Sequence, residues 1–273
     1  MAEGGKKPRF YVATVSWGKD SCAMVEVILA HLDKYPLNLV LFINTGYEFE
    51  AVYDVRDMVV AKLAKYNIPY VEISIKARFD YMMFEHVIDT RDGSEKVGYK
   101  WCGGPCRWGT SLKLQEIARY IRENLAMYDV YEYVGYAADE LERVEANTAP
   151  NKLYPLVEGG ITEARALRIC YECGYTYREK DVYLYEILKR LSCWLCANKN
   201  LEELRAYYYL LPDYFEKLKE LQLRMPDMPM KGEAGSVFDL EKRFKKEGRN
   251  ISIFDEYICL PEELRKKEEV AHP

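Results

Sequence analysis

An apolar run, Phe10-Tyr11-Val12-Ala13-Thr14-Val15, leads directly into Ser16-Trp17-Gly18-Lys19-Asp20-Ser21 and then into a helical apolar pattern from Cys22 to His31. A strand that turns through a glycine-containing loop into a helix leaves the first amides of that helix, and the positive end of its dipole, facing outward. Such an N-terminus suits an anion, and a phosphate above all. Lys19 adds a mobile positive charge, and Ser16 and Ser21 add hydroxyl donors. The loop is not that of the P-loop nucleotide triphosphatases. That pattern needs Gly five residues before its Gly-Lys pair and Ser or Thr directly after the Lys, where this chain has Ala13 and Asp20.

Further strand-like runs lie at Leu37 to Ile43, Tyr70 to Ile75 and Val130 to Gly135. Helical patterns separate them, at Ala51 to Tyr66 and Leu112 to Leu125, and another follows from Thr162 to Gly174. Repeated β-α units predict a doubly wound parallel sheet covered on both faces, an α/β fold. More helix is predicted at Val182 to Leu191, Leu201 to Leu210 and Pro212 to Leu223, followed by an irregular tail after Met225. The expected organisation is a nucleotide-binding domain over residues 1–200 with a helical and irregular extension, 201–273, packed on it.

At 273 residues and 49% hydrophobic content, the chain has ample material for a core. No apolar run approaches the roughly 20 residues needed to span a bilayer, and the first residues lack a signal-peptide pattern, so a cytoplasmic protein without membrane contact is expected. The net charge of −5 argues against broad duplex binding, while nucleic acid as a substrate stays open. Eight cysteines without an export signal read as thiols or metal ligands rather than disulfides. Cys102 with Cys106 and Cys193 with Cys196 are two chelating pairs, fit for a [4Fe–4S] cluster or a zinc ion. Cys170 and Cys173 share a helical face and are expected in the core, as are Cys22 and Cys259. Lys100, Arg107 and Lys113 flank the first pair as possible cations for an anionic ligand or as solvated charge. The three histidines show no ligand spacing. The 24 tyrosines, Tyr207-Tyr208-Tyr209 among them, are read as packing before base stacking.

The Ser16 loop resembles the S-G-G-K-D-S segment of the PP-loop ATP pyrophosphatase superfamily, with Trp17 in place of its first Gly. Asn44-Thr45-Gly46-Tyr47-Glu48-Phe49 is similar to the D-T-G-x-x-F segment of the PAPS reductase-like branch. That branch holds PAPS and APS reductases, the small subunit of ATP sulfurylase and DndC-type proteins. Gly135-Tyr136-Ala137-Ala138-Asp139-Glu140 with Arg143 resembles its G-x-R-x-D-E…R segment, with Ala137 where an Arg is expected. Tyr154-Pro155-Leu156 with Ile161-Thr162-Glu163 resembles its P-L-x-x-W-T segment without the Trp.

The resemblance implies an adenine nucleotide alpha hydrolase-like fold. It assigns Ser16, Trp17, Gly18, Lys19 and Ser21 to the phosphates of ATP, Asp20 to magnesium, and Thr45 and Gly46 to the nucleotide's surroundings. Gly135, Asp139 and Arg143 would line the reacting end. Lys19, Asp20, Asp139 and Arg143 are the implied catalytic set. Reductases of the branch often lose the Lys and carry an E-C-G-x-H segment near the C-terminus, whereas this chain keeps Lys19 and has only Cys259 in its tail. The resemblance therefore implies cleavage of ATP to AMP and pyrophosphate, adenylating an acceptor in sulfur transfer. A sulfonucleotide reductase and a non-catalytic nucleotide-binding accessory protein are the alternatives. The branch favours the [4Fe–4S] cluster over zinc. The acceptor is a small sulfur metabolite or a nucleic acid, and a homo-oligomer or a partner subunit is compatible with the chain.

Overall fold

The computed structural model describes residues 7–101, 106–146 and 149–248. The chain divides into two compact units, Met1–Met82 with Cys106–Thr176, and Met83–Pro105 with Tyr177–Pro273.

The first unit is built on five strands: β1 (Arg9–Val15), β2 (Leu39–Asn44), β3 (Tyr70–Ser74), β4 (Asp129–Tyr133) and β5 (Lys152–Leu153). They pair in the order β3-β2-β1-β4-β5, and every pairing is parallel. In β2, Leu39 to Ile43 are all buried, which is what a strand covered on both faces requires. The connecting helices are α1 (Lys19–Ala30), α2 (Glu50–Lys65), α3 (Lys76–Phe84, which runs on into the second unit's chain), α4 (Arg107–Asn124), α5 (Leu141–Ala146), α6 (Pro155–Glu158) and α7 (Glu163–Glu172). This is the expected α/β fold, a parallel sheet flanked by helices. Helix α1 buries nine of its twelve residues, so the loop before it rests on a rigid support.

The second unit contains two short antiparallel ribbons, Val87–Asp89 with Glu95–Val97 and Arg178–Glu179 with Val182–Tyr183, and the helices α8 (Leu184–Ile187), α9 (Leu201–Leu210), α10 (Pro212–Arg224) and α11 (Val237–Glu247). Two expectations are corrected here. The stretch Val182 to Leu191 is not one helix. Lys180 takes a left-handed φ of 54° in the ribbon turn, Val182 and Tyr183 pair as strand, and only one helical turn follows before Leu188 becomes extended. The tail after Met225 is not irregular throughout either. Ser236 and Asp239 form a reciprocal capping box at the start of α11, and Val237, Leu240 and Phe244 bury one face of it. Ser236→Ala is expected to lower stability by about 1 kcal/mol in urea unfolding, because it removes the hydroxyl that accepts from the Asp239 amide and donates to the Asp239 carboxylate. No helix among the described residues is long and apolar enough to cross a membrane. Tyr207 is fully buried, Tyr208 packs on Phe215 and Phe244, and Tyr209 donates to the Phe244 carbonyl, so this tyrosine run belongs to the core of the second unit. Cys259 lies outside the described residues.

Candidate functional site

In a parallel sheet whose first strand has neighbours leaving on both sides, the carboxyl ends of those central strands open a crevice. Here β1 lies between β2 and β4, and the loops that follow all three carry the residues singled out in the sequence.

The loop after β1 closes on itself through Ser21. The Ser16 amide donates to Ser21 Oγ at 3.3 Å, and Ser21 Oγ donates to the Gly18 carbonyl at 3.0 Å. Gly18 is the N-cap of α1, and no side chain caps the helix. The Trp17 side chain is fully buried, edge-on to Phe42 and tilted against Tyr70 with centroids 6.1 and 5.7 Å away. Only its backbone belongs to the loop, with φ at 58°, the left-handed region that glycine fills most readily. Cys170, fully buried on α7, donates its thiol to the Lys19 carbonyl at 3.2 Å and holds the loop from beneath.

Gly135 follows β4 and lies against the start of α1. A Cβ there would fall 3.1 Å from the Asp20 carbonyl oxygen and from the Ser21 amide nitrogen, so the close approach favours glycine. Beyond it, Glu140 pairs with Arg143 and accepts from the Ala137 amide at 3.3 Å. The Arg143 guanidinium sits 4.4 Å over the Tyr136 ring, which stacks on Tyr154. Asp139 Oδ1 accepts from the Glu163 amide at 2.9 Å, tying this segment to the first turn of α7.

Lys19 joins these pieces. Its ammonium lies 2.9 Å from both Asp20 oxygens and 2.7 Å from Glu163 Oε2. Burial pulls the ammonium toward neutrality, but the hydrogen bonds and charges of Glu163 and Asp20 outweigh it and place its pKa above the ordinary lysine value. Burial raises the pKa of Asp20, and the charges of Glu163 and Glu140 push the same way against the opposing pull of Lys19. Glu163 is the residue that sequence reading missed as part of the site. Its only local sign is an acidic residue one position after the helix cap Thr162.

Thr45 and Gly46 lie in the loop after β2. Thr45 is fully buried and donates to Glu48 at 3.0 Å, so its hydroxyl shapes the loop rather than facing outward. Gly46 has φ 76°, and a Cβ there would lie 2.6 Å from Lys76 Cδ. The structure thus brings Ser16, Gly18, Lys19, Asp20, Ser21, Gly135, Asp139 and Arg143 into one connected cluster with Glu163. Thr45 and Gly46 border the crevice on the β2 side.

The cysteines divide. Cys22 and Cys170 are buried in the first unit, while Cys173 ends α7, half-buried, its thiol pushed up to about 11 by burial and by Glu26. Cys106 is the N-cap of α4 and belongs to the first unit. Cys102 lies outside the described residues. In the second unit Cys193 and Cys196 form a tight turn, with the Cys196 amide donating to the Cys193 carbonyl at 3.0 Å. That turn is pinned by Trp101 Nε1 on the Leu195 carbonyl (3.2 Å), by the Tyr207 hydroxyl on the Trp194 carbonyl (3.3 Å) and by Lys231 on the Ala197 and Lys199 carbonyls. Of the flanking cations, Lys100 pairs with Asp227 and Lys113 with Glu48. Among the described residues, no three or more His, Cys, Asp or Glu are arranged to hold a metal ion.

Residues 11–127 match the phosphoadenosine phosphosulfate reductase domain. No curated protein matches the chain. Among solved structures, the U34-tRNA thiolase NcsA from Methanococcus maripaludis with its [4Fe-4S] cluster aligns over 89% of this chain and 73% of its own, at 16% identity and a TM-score of 0.42.

Proposed function

We propose that this chain, whose residues 11–127 match the phosphoadenosine phosphosulfate reductase domain, binds magnesium ATP at the Ser16–Ser21 loop and splits it into AMP and pyrophosphate, adenylating an acceptor oxygen. The observation that carries this reading is the retained Lys19 at the start of an uncapped twelve-residue helix, with Gly135 pressed against the same turn. A pyrophosphate leaving group gains negative charge as its bond to the α-phosphorus breaks. The first-turn amides of α1, the Lys19 ammonium and the Arg143 guanidinium are the groups available to offset it. The absent side chain at Gly135 lets the end of β4 pack closely on that turn. Asp20 is the carboxylate placed to face a magnesium ion brought in on the phosphates.

For the sulfur step, Cys193 and Cys196 are held as a preformed turn, and the Trp101 indole, immediately before Cys102 in the chain, is fastened to that turn. Cys102 and Cys106 are the further thiols expected from the sequence; thiolates suit soft metals, and an iron–sulfur cluster held by cysteines would supply sulfur-binding and redox chemistry. The acceptor would be a small sulfur metabolite or a nucleic acid.

The test is product analysis with magnesium ATP and, separately, with sulfonucleotides plus a thiol donor. AMP and pyrophosphate in the first assay support the proposal, whereas sulfite release in the second, with no AMP in the first, would make the protein a reductase. Metal analysis of protein purified without oxygen addresses the thiols. About four irons per chain are expected, falling sharply in Cys193→Ser. Zinc without iron would make the centre structural.

A further inference from the structure

Four carboxylates, Asp20, Asp139, Glu140 and Glu163, gather at the loop and the segment after β4 with two cations, Lys19 and Arg143, and Arg143 is already paired with Glu140. For a site read as anion-binding this is the wrong balance of charge. The ammonium of Lys19 has three protons, and three carboxylate oxygens stand at hydrogen-bond distance to receive them. Glu163 is not a mobile neighbour drawn in by chance. Its amide donates to Asp139, and Thr162 caps the same helix turn by accepting from the Arg165 amide, so the backbone beneath the carboxylate is fixed. Burial raises the pKa of Asp20, and the neighbouring charges of Glu163 and Glu140 add to that against the pull of Lys19. A phosphate that pairs with Lys19 must displace one of these oxygens, and Glu163, 36% exposed against 27% for Asp20, is the one free to swing outward.

We propose that Glu163 gates Lys19. It competes with polyphosphate for the ammonium, so that the loop rejects a bare polyanion and accepts one that carries a divalent cation to offset the carboxylates. This rests on the phosphate-loop reading above and names the form of substrate the loop takes. Glu163 acts through Lys19 and is a positioning residue. Because magnesium dehydrates reluctantly and is commonly held by substrate phosphates plus one or two carboxylates, the cation arrives with the nucleotide.

Calorimetric titration of inorganic pyrophosphate into the full chain, in chelator and in magnesium, tests the gate. In chelator, Glu163→Gln is expected to bind pyrophosphate at least about tenfold more tightly than the wild type, since the charge-assisted bond it removes is one the phosphate must otherwise break. In magnesium the two should differ by less than about threefold. In a Lys19→Ala background the gain should vanish, which a double-mutant cycle reads directly. Glu163→Ala should repeat the gain by a second route. A structural role for Glu163 can only weaken binding or leave it alone, so unchanged or weaker binding of both variants in chelator overturns the proposal. A gain that persists without Lys19 overturns it too, as a diffuse charge effect. If the folded wild type binds no pyrophosphate even with magnesium, the phosphate-loop reading fails and takes the gate with it.

Discussion

Lys19→Ala should lower AMP formation from magnesium ATP by about a hundredfold or more, the usual loss when one preorganised donor to a developing oxyanion is removed. The loss should fall on turnover more than on apparent affinity. The ammonium's contacts with Asp20 and Glu163 are traded for phosphate contacts on binding, and its full value appears only as the leaving group gains charge. The variant also leaves two carboxylates without their cation. Because the Glu163 side chain is about a third exposed, solvent screening keeps this stability cost well below that of a fully buried pair. Lys19→Met separates the effects, since it keeps the packed stem and removes only the charge. It should unfold above Lys19→Ala, by the packing it keeps, and be as inactive. Wild-type AMP production in Lys19→Met, measured by nucleotide chromatography, would remove Lys19 from the chemistry and with it the ATP-cleaving assignment.

What the sequence disclosed about this site follows from the range of the interactions involved. The β1 loop and α1 were legible because an apolar run, a glycine and a helical pattern are contiguous, and the structure starts α1 at Lys19, three residues before the pattern. Gly135 was legible as a glycine between a strand and an acidic turn, but its reason, a backbone contact with Asp20 and Ser21, joins segments more than a hundred residues apart. Glu163 was illegible for the same cause, since its partner Lys19 lies 144 positions earlier and nothing local distinguishes it from a first-turn helix charge. The ribbon at Arg178–Tyr183 was misread because Val182 to Leu191 carries apolar residues at spacings compatible with helix, while the left-handed Lys180 that decides the turn has no side-chain signature. By contrast the start of α11 was written in the sequence as Ser236-Val237-Phe238-Asp239, and the nearby glycines and prolines outweighed it in the reading.

Trp17 is where local preference and tertiary structure conflict most sharply, and the conflict predicts an unusual order of stabilities. The side chain is fully buried against Phe42 and Tyr70, so truncating it should cost about 3–5 kcal/mol. Its backbone, however, is held at φ 58°, where any residue with a Cβ carries a penalty of about 1–2 kcal/mol that glycine does not. Glycine normally destabilises relative to alanine. Here Trp17→Gly should be the more stable of the two by about 1 kcal/mol, with both well below the wild type. Urea unfolding of the two variants decides it, and alanine above glycine would mean that the loop leaves the left-handed region once the indole is gone. The comparison also bears on function. With the indole in the core and only the Trp17 backbone in the loop, Trp17→Gly assayed well below its unfolding temperature should hold its KM for ATP within about threefold of the wild type. A larger rise would show that the buried ring is needed to keep the Ser16–Ser21 amides in register, making the core contact with Phe42 a part of the phosphate site.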